Sequence, residues 1–280
     1  MRFLKFIILL SIMLSITAFA EERLSFSSKV TECVNHWVAL GSNNDYTYGF
    51  IYIDEQAGFT YHIAGRFKLD DSGHYIKLED DIIDKKAFLI KRLGQNGMVA
   101  ALSKEAIDQL GLPEKPDWLN NYDDGSNSPL HRTRIGYWFN ELGDYERAIL
   151  VLESAYKDQP TTERLEFELA YAYNALEQFE KSLPVLSGAL KRDPEDVFLG
   201  SELAYTNYRL GNYNEAINLY LKFIPICPAG QIQLKSEMAM NLSDSYSKIG
   251  LNKEAKLWLK KAKEWAPEGS PLSQYFKQGS

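Results

Sequence analysis

The sequence predicts two folds in one chain: an N-terminal α+β domain, an antiparallel sheet with helices, followed by an all-α array of four helix pairs. Three observations predict this. A short phrase recurs at a fixed interval through the second half, and a two-residue hydrophobic rhythm runs through the first. A polar, acidic stretch, NNYDDGSNSP at 120–129, separates the two. The domain limits that follow are 1–20 for a leader, 21–119 for the sheet domain, 120–128 for a linker, 129–267 for the repeats and 268–280 for a capping tail.

The first twenty residues, MRFLKFIILLSIMLSITAFA, have the three parts of a secretory signal peptide. Arg2 and Lys5 are followed by an apolar run from Phe6 to Leu14 and then by Ala18-Phe19-Ala20 as a cleavage site. The run is short for a membrane-spanning helix, and an uncleaved anchor is the competing reading. No cysteine follows the cleavage site for a bacterial lipid anchor. The expected product is exported, periplasmic or secreted, without stable membrane insertion.

Within 21–119, Phe59, Tyr61, Ile63, Gly65, Phe67 and Leu69 alternate with Thr60, His62, Ala64, Arg66 and Lys68, the rhythm of a half-buried strand. YTYGFIYI at 46–53 suits a central strand, joined to it by DEQAG at 54–58. DDSG at 70–73 is a second turn. AFLIKRL, GQNG and MVAAL together predict a further hairpin on an Asn-Gly turn. Ser103 caps a short helix closed by Gly111. Val30, Cys33, Val34, Trp37 and Val38 fit one face of a helix.

The second half repeats itself. LGDYERAI at 142–149 returns as LGNYNEAI at 210–217, 68 residues on, and the midpoint of that interval falls on LEQFEKSL at 176–183. IGLNKEAK at 249–256 follows 39 residues later, which is the 34-residue period plus five inserted residues. Such a period marks a repeat array whose units cannot bury their apolar faces alone. Each unit is two amphipathic helices around a tight turn. In the first, Gly143 ends one helix, Asp144 caps the next and Pro160 stops it. Gly136, Ala148 and Ala155 are small where the two helices must approach closely. Pro184 should bend its helix, and the insertion before Ser236 should loosen the joint to the last repeat. Leu272, Tyr275 and Phe276 are spaced for a short helix capping the array.

This half resembles the tetratricopeptide repeat. The small residue of the first helix is Gly136, Ala170, Ala204 and Ser243, and that of the second helix is Ala148, Ser182, Ala216 and Ala255. The aromatic is Phe139, Tyr173 and Tyr246, with Asn207 departing; the turn glycine is Gly143, Gly211 and Gly250, with Glu177 departing. Pro160, Pro194, Pro228 and Pro267 close the four units, at 129–162, 163–196, 197–230 and 236–267. The resemblance implies a superhelix whose first helices line a concave groove for a protein or peptide. The positions implied to face it are Thr133, Tyr137 and Asn140; Phe167, Tyr171 and Asn174; Ser201, Tyr205 and Tyr208 with Arg209; and Met240, Asp244 and Ser247. Tyr137, Phe167, Tyr171, Asn174, Tyr205, Tyr208 and Arg209 form the candidate site, aromatic in the middle with amide and guanidinium handles. Some of these tyrosines could instead fill a tightly wound superhelix. The resemblance also implies that a clamp for a C-terminal carboxylate needs Lys and Asn where this chain has Thr133, Tyr137, Glu168, Phe198 and Glu202, so an acidic C-terminus is not the expected ligand.

Composition narrows the function further. Residues 21–128 hold 11 Lys and Arg against 18 Asp and Glu, residues 129–280 hold 18 against 20, and the chain carries a net charge of −7. With no basic block, nucleic acid is not an expected partner. Cys33 and Cys227, one in each half, could bridge in an oxidising compartment or stay as two buried thiols. His36, His62, His74 and His131 show no metal-ligand spacing, no nucleophile or phosphate-loop motif occurs, and no cofactor is expected. Glu79, Asp80, Asp81 and Asp84 read as a solvated turn. His62 and Arg66, placed on one strand face, are the remaining polar candidate. The reading is an exported, non-enzymatic adaptor that binds a protein or peptide in the groove. The alternative is a periplasmic enzyme or ligand-binding sheet whose repeats only recruit a partner.

Overall fold

The computed structural model describes residues 24–78, 90–94, 97–122 and 126–278. The proposed leader, the acidic cluster at 79–84 and the Gln95-Asn96 turn lie outside the described residues. The main division into compact units falls between Asn127 and Ser128.

The first unit is an antiparallel sheet. Its strands are β1 (Ser28–Lys29), β2 (His36–Ser42), β3 (Asp45–Asp54), β4 (Gly58–Leu69), β5 (Tyr75–Leu78), β6 (Ile90–Arg92) and β7 (Met98–Ala101), in the order β1-β7-β2-β3-β4-β5. Helix α1 (Lys104–Gln109) and a 3₁₀ turn at Asp117–Asn121 accompany it. The predicted turns form. The Asp54 carboxylate accepts from the Gln56 and Ala57 amides at 2.8 and 2.7 Å, and Asp70 accepts from Ser72 and His74 at 2.9 and 2.8 Å. The Ser103 hydroxyl caps α1 by accepting from Ala106 N at 3.2 Å.

Three expectations are corrected. The segment from Val30 to Val38 is not one helix but a 3₁₀ turn, Val30–Cys33, leading into β2, where Trp37 and Val38 point to opposite faces. Trp37 pairs with Phe50 and Val38 with Gly49, so each finds its own apolar layer. β6 and β7 do not pair with each other: β6 lies along β4, opposite Thr60–His62, while β7 joins β1 and β2. The Gly97 amide donates to Gly94 O at 3.1 Å, yet the twelve-residue β4 offers an edge that captures β6. Finally, β4 does not keep its alternation. Tyr48 pairs with Gly65 and Gly49 with Ile63, leaving Ala64 as the extra residue of a bulge. Past it the faces exchange. Phe67 joins Tyr48, Phe50, Tyr52, Trp37 and Tyr75 in the core that α1 covers with Ala106 and Leu110, whereas Tyr61 is buried on the other face.

The second unit is helical: α2 (Pro129–Glu141), α3 (Tyr145–Asp158), α4 (Leu165–Ala175), α5 (Phe179–Arg192), α6 (Val197–Arg209), α7 (Tyr213–Phe223), α8 (Ile232–Lys248), α9 (Asn252–Trp265) and α10 (Pro271–Gln278). The pairs α2–α3, α4–α5, α6–α7 and α8–α9 are the four predicted repeats. Small residues sit where helices touch. A Cβ on Gly136 would fall 2.4 Å from Leu152, and the Ser243 hydroxyl donates to Ala255 O of the facing helix at 2.7 Å. Helix α5 continues through Pro184. Residues 232–235, from the insertion, extend α8 by a turn at its start, and this turn packs within the last repeat. Lys235 lies over the Trp265 ring at 4.9 Å and the Ser236 hydroxyl donates to Ala262 O at 2.8 Å.

Candidate functional site: the wall of first helices

The first helices α2, α4, α6 and α8 are stitched together by polar side chains one repeat apart. Asn140 Nδ2 donates to the Glu168 carboxylate and to its backbone oxygen, both at 3.0 Å. One repeat on, Asn174 Nδ2 donates to the Glu202 carboxylate at 2.8 Å and Thr206 Oγ1 donates to Asn174 Oδ1 at 3.0 Å. Tyr208 continues the series with a hydroxyl donated to Asp244 at 2.8 Å. Each side chain is aligned by helical spacing, so the repeat period sets the rungs. Glu168 is buried at 2% exposure, which is tolerable because Arg164 also donates to it at 2.7 Å.

The expected site residues divide into three groups. Tyr171, Asn174, Ser201, Tyr205 and Met240 converge on one cavity of about 380 Å³. Phe167 faces a second hollow of about 360 Å³ with Arg164, Phe198 and Leu199, and the Arg164 guanidinium lies 5.5 Å from the Tyr137 ring and 5.9 Å from Phe167. Tyr208 and Arg209 line neither hollow. Arg209 is occupied by Glu177 at 2.7 Å and the Tyr205 hydroxyl at 2.7 Å, above the Phe179 ring. Thr133 is buried and donates to Pro129 O of its own helix.

The cavity has contributors that the sequence reading placed elsewhere. Leu272 of α10 lines it, although the spacing had marked that residue as a cap; Leu234, from the extra turn of α8, lines it too. Glu202 and Glu237 supply carboxylates. Burial pushes the Glu202 carboxyl above its ordinary range, the Asn174 bond opposes the shift, and Glu237 and Glu168 add to it. Tyr208 is pushed up to about 12 by burial and by its bond to Asp244.

In the first unit, the bulge separates the other candidate pair. His62 lies on the Phe50 face and stacks on Trp118, ring centroids 4.0 Å apart, while Arg66 lies on the opposite face and binds Asp45 at 2.6 Å. Burial lowers the His62 pKa. The structure therefore does not make one polar site of them. Cys33 and Cys227 are both buried, and neither is in a disulfide. Among the described residues, no group of His, Cys, Asp and Glu has a metal-holding arrangement, and no helix is long and apolar enough to cross a membrane.

Residues 236–268 match the family model of the tetratricopeptide repeat. With four helix pairs in phase with that unit, the second half of the chain is a tetratricopeptide-repeat array. No curated protein matches the chain. Among solved structures, one of MamA (AMB-1) is 20% identical, with a TM-score of 0.45, covering 57% of this chain and 87% of that one. MamA from Desulfovibrio magneticus RS-1 is 20% identical at a TM-score of 0.46, covering 58% and 84%. YrrB, described as a TPR protein with an unusual peptide-binding site, is 18% identical at 0.46, covering 58% and 79%.

Proposed function

We propose that this protein is an exported interaction scaffold that holds a segment of a protein partner across the first helices of repeats two to four. The observation that carries the reading is the convergence of Tyr171, Asn174, Ser201 and Tyr205 on one cavity. Two tyrosines from equivalent positions in successive helices present rigid contact area at small entropic cost, beside an amide and a carboxylate that fix orientation. The role is binding, and no reaction is assigned to any residue. Export rests on the signal-peptide pattern of residues 1–20, and N-terminal sequencing of the mature protein tests it: a chain beginning at Met1 overturns that part.

The groove is tested by comparing Tyr205→Ala with Ala216→Leu in the full mature chain, measuring melting and capture of partner from a native envelope extract. Ala216 is fully buried, so the added bulk should unfold the repeats. Tyr205→Ala should melt far less early yet lose about thirtyfold in affinity, about 2 kcal/mol. If Tyr205→Ala captures the partner as well as the native chain does, the partner does not lie in this groove.

A further inference from the structure

We propose that the cavity of repeats two to four receives a basic side chain, lysine or arginine, of the protein partner. The inference rests on the groove reading above and names the chemistry that the groove selects. Three observations carry it. Two carboxylates, Glu202 and Glu237, line the cavity, and among its described lining residues there is no Lys, Arg or His. Glu202 is held in place by Asn174 rather than neutralised by a cation, and Glu237 accepts only a neutral amide, Gln233 Nε2 at 2.9 Å, among its described contacts. Holding the Glu202 carboxyl buried with the exposed Glu237 nearby is costly, and an entering cation would relieve that cost.

The rest of the lining suits the stem of such a side chain. Tyr171, Tyr205, Met240 and Leu272 offer apolar surface, so methylenes pack while the charged head reaches the carboxylates. Behind the wall, Tyr220 is fully buried, with its hydroxyl beside Asn241 and Glu202, both lining residues. A donor entering the cavity could draw Asn241 and this phenol into one network. The acidic chain as a whole would steer a basic segment toward the groove.

The test uses the full mature chain and immobilised short Gly-Ser peptides with a central Lys, Arg, norleucine or Glu. Norleucine keeps the stem and removes the charge. Lys and Arg peptides should bind about tenfold tighter than the norleucine peptide, as a charge-assisted contact contributes that much. Glu202→Gln should remove this preference while its melting temperature stays level or rises, because the amide keeps the size and a bond to Asn174 while relieving a desolvated charge. Equal binding of Lys and norleucine peptides, both lost in Tyr205→Ala, overturns the charge proposal and leaves the groove standing. Failure of every peptide class to bind overturns both. Self-association of the native chain that Glu202→Gln abolishes would assign the cavity to a second copy and also overturn the proposal.

Discussion

The sheet unit and the repeat unit use polar and aromatic side chains in opposite ways. In the sheet, aromatic rings close on one another: Trp37, Tyr48, Phe50, Tyr52 and Phe67 form one cluster, and His62 is absorbed against Trp118. Polar groups end in local pairs such as Arg66 with Asp45. In the repeats, rings such as Phe139, Tyr173, Tyr220 and Phe223 are buried between helices, but Tyr171 and Tyr205 stay along the wall of first helices with Asn174 and Glu202 beside them. The difference teaches where to look for binding. A unit whose aromatics close on one another has little to offer a ligand, whereas one that leaves part of its aromatics outside the core presents them.

The largest expected effect tests that contrast at the closest contacts of each unit. A Cβ on Gly200 would lie 2.2 Å from the Phe223 ring, and a Cβ on Gly65 would lie 2.2 Å from the Tyr48 hydroxyl. Phe223 is fully buried with helices around it, so Gly200→Ala should cost about 3 kcal/mol and melt the helices early. Gly65→Ala should cost about 2 kcal/mol, because the clash falls on the outer end of the Tyr48 ring and the strand regains some β-propensity. Circular dichroism at helical and aromatic wavelengths separates the two losses. If Gly65→Ala proves the more damaging, the bulge and not the aromatic cluster is the sensitive part of the sheet.

The same contrast explains what the sequence could reveal. The helix pairs were legible because four copies state one packing problem, so Gly136, Ala170, Ala204 and Ser243 identify the contact by recurring. The sheet is stated once. Nothing local in the alternation from Phe59 to Leu69 marks Ala64 as the bulge, and the exchange of faces depends on Tyr48 across the sheet. Likewise the partners of the strands on either side of 94–97 were not legible, since pairing is decided by which edge is free. At the candidate site, helical phase identified Tyr171, Asn174, Ser201 and Tyr205. It missed Leu272, whose place depends on how the chain turns back after Pro267, and it assigned Arg209 to a ligand when Glu177 and Tyr205 already hold it.

A smaller effect sharpens the comparison by removing one rung of the repeat ladder. Asn174→Ala takes away the amide that donates to Glu202, while Thr206 keeps its bond to Glu202 O at 2.9 Å. At neutral pH the cost should be about 2 kcal/mol, that of leaving a buried acceptor unpaired. Its pH dependence has a definite sign. The folded-state pKa of Glu202 is raised above 4.5, so its contribution is fullest in acid and is lost as pH rises through the folded value. Losing Asn174 raises that value further, since the bond was lowering it. Glu168 and Glu237 push in the same direction. Urea midpoints for the variant and the native chain should therefore lie close together in acid and separate as the pH rises through the folded value of Glu202. A gap that is constant with pH would show that Asn174 acts through Thr206 and packing alone.

The smallest effect concerns the one repeat that lacks its turn glycine. Gly143, Gly211 and Gly250 stand at φ of 72°, 81° and 80°, and Glu177 holds the equivalent place at 57°. A side chain in this left-handed region costs about 1 kcal/mol. Against it stand the ion pair with Arg209 at 2.7 Å, with Glu177 largely exposed, and the entropy that a glycine adds to the unfolded chain. Glu177→Gly should therefore stabilise by only about 0.5 kcal/mol, one or two degrees of melting temperature. Glu177→Ala separates the terms, because it keeps the strained backbone and loses the pair. The step from Glu to Ala reads the Arg209 contact, and the step from Ala to Gly reads the backbone strain offset by glycine's chain entropy. If the glycine variant melts below the native chain, the Glu177–Arg209 link outweighs the strain. Arg209 lies over the Phe179 ring and bonds the Tyr205 hydroxyl, so repeat two would then have exchanged its turn glycine for a hold on the tyrosine of the groove.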